Sequence, residues 1–68
     1  MDKQEREKLL DLYRDACKNT VDAAPQNKAF AEGFEYGINC ALEFAGISYY
    51  KRYTIWKSVQ PEQQDERG

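Results

Sequence analysis

From Ala29 to Ile47 the chain reads AFAEGFEYGINCALEFAGI, and no other stretch restricts the fold as much. At about 100° of helix per residue, Glu32, Glu35, Asn39 and Glu43, with Gly46, gather in an arc of roughly 80°. The rest of the circumference is apolar, aromatic or small. A surface helix needs an apolar stripe of little more than ~100°, so a helix like this one is expected to be covered from more than one side. The short polar arc reads as its solvated face.

Within the same stretch Ala29, Gly33, Gly37, Ala41 and Ala45 recur at every fourth position. A glycine inside a helix is less stable than alanine by about 1 kcal/mol, so Gly33 and Gly37 imply that another backbone approaches closely. That backbone is either the first helix or a second copy of the chain; in the second case Cys40 approaches its own copy. Gly33, Gly37 and Ala41, flanked by Phe30, Phe34 and Phe44, form the candidate packing and dimer surface. The spacing is also a GxxxG, but its membrane meaning requires an apolar run of about 20 residues. Glu32, Glu35 and Glu43 exclude that meaning, and no membrane partner is expected.

The flanking segments fit around this helix. Asp2 followed by Glu5 is a reciprocal N-cap, and behind it Leu9, Leu10, Leu12, Tyr13, Ala16, Cys17, Thr20, Val21, Ala23 and Ala24 share one side of an amphipathic helix. Pro25-Gln26-Asn27 interrupts the pattern, because the residue before proline avoids the helical region while proline suits a first turn. A connection this short folds residues 3–45 into an antiparallel hairpin. Gly46 suits a left-handed C′ position with Ile47 folding back onto Leu42, and Ser48 is placed to cap a third helix through Val59. Tyr49, Tyr53, Thr54, Ile55 and Trp56 also favour a strand, but a strand here has no partner in the chain unless it pairs across a dimer. Residues 61–68 contain no apolar side chain and are read as a disordered polar tail, leaving residues 1–60 as one domain.

A chain of 68 residues buries only about 60% of the surface its unfolded form exposes. Association with a second copy would add to a thin core. The expected fold is therefore all-α, an antiparallel helical hairpin plus a short third helix, assembled as a homodimer. The net charge is −2, and Glu62, Asp65 and Glu66 against Arg67 account for all of it, so the body is neutral. A neutral body argues against non-specific polyanion binding. Met1 with no early apolar run, and two cysteines without secretory features, point to a cytoplasmic chain with reduced, buried thiols.

Between Ser48 and Val59 every charge is positive (Lys51, Arg52, Lys57), and the cations alternate with Tyr49, Tyr50, Tyr53 and Trp56. Aromatics beside arginine mark protein-binding hot spots, while stacking rings and cations also serve nucleic acid. A purely structural reading has Tyr53 and Trp56 pack on the hairpin and the cations pair with the glutamates of the second helix. Leu42-Glu43-Phe44-Ala45-Gly46-Ile47-Ser48 resembles the first helix and turn of helix-turn-helix DNA-binding regulators, a resemblance that runs to Trp56. It implies a recognition helix in residues 42–57. Leu42 stands where that family has a small residue, and Arg52 where it has an apolar one.

No histidine is present, no phosphate-binding glycine loop precedes a basic residue, and two cysteines alone cannot complete a four-ligand zinc site. Neither enzyme chemistry nor a cofactor or metal is expected. The expected function is that of an inhibitor, adaptor or regulatory subunit that binds a protein target, in the manner of accessory proteins of bacteria and their phages. Tyr49, Tyr50, Lys51, Arg52 and Trp56 are the candidate partner-binding residues.

Overall fold

The computed structural model describes residues 1–61 and is all-helical over them, with α1 (Lys3–Asp22), α2 (Lys28–Phe44) and α3 (Tyr49–Ser58). Beyond Pro61, the expected tail lies outside the described residues. Each helix begins and ends where local chemistry directs it. Asp2 caps α1: the Glu5 amide donates to Asp2 Oδ1 at 2.8 Å, and the Asp2 amide donates back to Glu5 Oε1 at 3.2 Å. At its other end Ala23 and Ala24 are extended, as Pro25 demands, and Pro25–Asn27 form one 3-10 turn. Lys28 Nζ then donates to the Thr20 carbonyl at 2.8 Å, and Thr20 Oγ1 donates to the Ala31 carbonyl at 3.2 Å. These bonds tie the base of the α1–α2 hairpin.

The end of α2 follows from Gly46. Its φ of 85° is left-handed, its amide donates to the Glu43 carbonyl, and the Ile47 amide donates to Leu42, both at 3.0 Å. This closure turns Ile47 inward and frees Ser48, whose hydroxyl accepts from the Lys51 amide at 3.2 Å to start α3. The β-favouring side chains of α3 therefore yield to the cap and to packing on the hairpin.

Tyr13, Cys17, Leu42, Ile47 and Ile55 make the core, with Leu9, Leu10, Ile38, Trp56 and Val59 partly buried around it. The stripe of α1 that is covered is narrower than its sequence suggests, because Leu12 stays exposed. Both thiols are free; Cys17 is buried as expected, but Cys40 is exposed, since it lies on the far side of α2.

The orientation of α2 is the main departure from expectation. Leu42 is buried, and Ala31, Glu35, Ile38, Asn39 and Ala45 are half-buried, so part of the polar arc faces inward. The most apolar arc faces out. Phe30 is 80% and Phe44 95% exposed, and a Cβ added to Gly33 or Gly37 would meet no atom within 4 Å. The small-residue strip is thus not where α1 crosses α2. Three helices cannot enclose one of their own, and the polar arc has inward partners to bond while the phenylalanines have none.

Candidate functional site

The inward polar residues of α2 meet α3 at Arg52. One helical turn past the Ser48 cap, Arg52 points back over the α2–α3 corner and is only 8% exposed. Its Nε donates to the carbonyls of Ile47 at 3.2 Å and Ser48 at 3.3 Å, and its Nη1 donates to Asn39 Oδ1 at 3.0 Å. The guanidinium also lies 5.7 Å from the centroid of the Tyr49 ring. Arg52 is therefore a tie that fixes the corner, and it fills the place where a helix-turn-helix has an apolar side chain. The expected pairing of α3 cations with α2 glutamates is absent: among the described residues the ion pair present joins Arg14 to Asp11.

Beside this tie runs a cleft of about 820 Å³ between the three helices. Tyr13 and Cys17 form its floor, Glu32, Glu35 and Tyr36 one wall, and a column of rings the other. In that column Tyr49 stacks on Tyr53 with centroids 6.2 Å apart, and Tyr53 on Trp56 at 5.8 Å. Burial pushes the Cys17 thiol up to about 11, against a lowering by the Tyr13 hydroxyl and a further rise from the Glu35 charge. Burial likewise drives the Tyr13 hydroxyl well above the usual tyrosine range. A thiol held protonated in this way is no nucleophile at neutral pH. Among the described residues no cluster of three or more Cys, Asp or Glu side chains is placed to hold a metal ion.

The expected partner-binding residues thus divide. Tyr49, Tyr50 and Lys51 are exposed on α3, Trp56 is half-buried at the cleft, and Arg52 is inside. The sequence places Tyr13 and Cys17 on the inner side of α1, but Glu35 and Asn39 read there as part of a solvated face, and that they turn inward beside them was missed. The one visible signal was Asn39, the uncharged side chain in the polar arc of α2.

The second candidate surface is the outer face of α2. Phe30, Phe34, Gly33, Gly37, Ala41 and Phe44 all lie on it and all are exposed, with Cys40 among them and Tyr36 at its edge. No charged side chain interrupts it. Among the described residues no helix is long and apolar enough to cross a membrane, so this face is not explained as part of a span. No protein-family model, curated protein or solved structure matches the chain.

Proposed function

We propose that this chain is a non-enzymatic interaction protein that works as a homodimer, covering the outer face of α2 with a second copy and presenting α3 to a protein target. One observation carries the reading: α2 turns outward an uncharged arc on which Phe30, Phe34 and Phe44 are 80%, 47% and 95% exposed. Apolar patches beyond a few hundred Å² mark interaction surfaces. Tyr49, Tyr50 and Lys51 stand exposed on α3, with Trp56 half-buried at the cleft. Such aromatic residues supply contact area at low entropic cost in an inhibitor, adaptor or regulatory subunit.

Sedimentation of the wild type beside Phe44→Ser tests the assembly. The wild type should sediment as a dimer and the variant as a monomer of unchanged helicity; a monomeric wild type would refute the reading. DNA binding by α3 is the competing class. With Arg52 inside, the cations left on its open side are Lys51 and Lys57, so random duplex DNA should remain unshifted at low salt. A shift abolished by Lys51→Glu with Lys57→Glu would favour the DNA-binding regulator instead.

A further inference from the structure

We propose that the second copy lies antiparallel on α2, about a two-fold axis that passes through Gly37. The inference rests on the dimer reading above and adds its register. Phe30, Gly37 and Phe44 recur at seven-residue intervals and fall in one line down the middle of the exposed arc. Gly33 and Cys40 flank that line on one side, Phe34 and Ala41 on the other. The face is therefore symmetric in bulk about Gly37: a ring at each end, and the residue without a side chain at the centre.

An antiparallel two-fold axis at Gly37 sets each residue against the one about equally far beyond it. Phe30 meets the second copy's Phe44, Gly37 meets its own copy, Phe34 covers Ala41, and Cys40 covers Gly33. On each flank a bulkier side chain sits over a smaller one, and the layers on the two sides of the crossing are identical. The same ring pair then stands at both ends of the seam, so the helix axes keep a constant separation within the usual 8–10 Å. A parallel pair would crowd both Phe34 rings on one side of the crossing and leave only Cys40 and Ala41 on the other, wedging the helices apart. Opposed helix dipoles favour the same choice.

The area suits a second copy. At about 200 Å² per aromatic side chain, the exposed parts of Phe30, Phe34, Phe44 and Tyr36 amount to roughly 600 Å² on each protomer. Two such faces reach the ~1,000 Å² that separates a specific interface from an incidental contact. The glycines give independent support. Each weakens α2, and neither has a neighbour within its own chain that would clash with a side chain; a backbone crossing at Gly37 supplies the missing reason.

Disulfide trapping reads the register directly. In a Cys40→Ser background, Phe30→Cys and Phe44→Cys proteins are oxidised separately and mixed, Cys17 being buried. The mixture should cross-link on the order of tenfold faster than either protein alone, because only the unlike pair comes within the Cα separation a disulfide spans. Wild-type protein gives a second reading without substitution. The register sets the two copies of Cys40 about 9 Å apart along the axis, beyond the ~7 Å limit, so oxidation should leave them unlinked. Homotypic cross-linking of Phe30→Cys, or a ready Cys40 disulfide, would overturn the antiparallel register while leaving the dimer standing. A monomeric wild type by sedimentation would remove the dimer itself.

Discussion

Arg52 shows how one side chain can change role between sequence and structure. Beside three tyrosines and two lysines it reads as a contact residue, yet its hydrogen bonds run to Ile47, Ser48 and Asn39. Nothing in the local spacing announces this, because the acceptors are backbone carbonyls exposed by the α2–α3 corner and one amide thirteen residues away. Bonds of a buried charged group are each worth about 1.5–3 kcal/mol. Arg52→Ala should therefore lower stability by about 3 kcal/mol and Asn39→Ala by about 1.5–2 kcal/mol, measured by urea denaturation; an unchanged midpoint for Arg52→Ala would show that the tie contributes nothing. Cys17 makes a pH-dependent prediction. Its thiol rises from an ordinary 9.0 to about 11 in the folded chain, so the unfolded chain releases this proton first as pH rises. The stability it contributes is whole below pH 9 and is lost as pH climbs through about 11. The thermal midpoint should fall across that interval, and fall less steeply in Cys17→Ala.

Among the elements, those whose signals are local were the most legible. The Asp2–Glu5 box, the Pro25 break, the Gly46 closure and the Ser48 cap each involve residues within a few positions, and each stands where its spacing indicates. The rotation of α2 was not legible in this way. Periodicity gives the angular positions of its side chains, but which arc turns inward depends on what α1 and α3 offer, and the α2–α3 corner offers a guanidinium. The polar arc accordingly lies partly inside and the phenylalanines lie outside. This placement sharpens the expected effect of changing the glycines. Since a Cβ at Gly37 has open space within the chain, Gly37→Leu should leave the helical circular dichroism unchanged while abolishing self-association. Gly33→Ala alone should stabilise the isolated helix by up to about 1 kcal/mol. Loss of helicity in Gly37→Leu would place the crossing within the protomer after all.

For the molecule as a whole, the small core and the outward apolar arc of α2 belong together. Leu42 and Cys17 are the largest fully buried side chains, and a core of that size leaves a chain of 68 residues with little margin. Association through α2 would bury aromatic surface that the fold leaves in water, so folding and assembly should be linked. A protein stabilised by its own second copy unfolds at a temperature that rises with protein concentration. The most direct test is the thermal midpoint of the wild type over a hundredfold range of concentration, with Gly37→Leu run in parallel. The midpoint of the wild type should climb steadily with concentration and that of Gly37→Leu should stay level. A wild-type midpoint that does not move would mean that the outer face of α2 is not covered by a second copy.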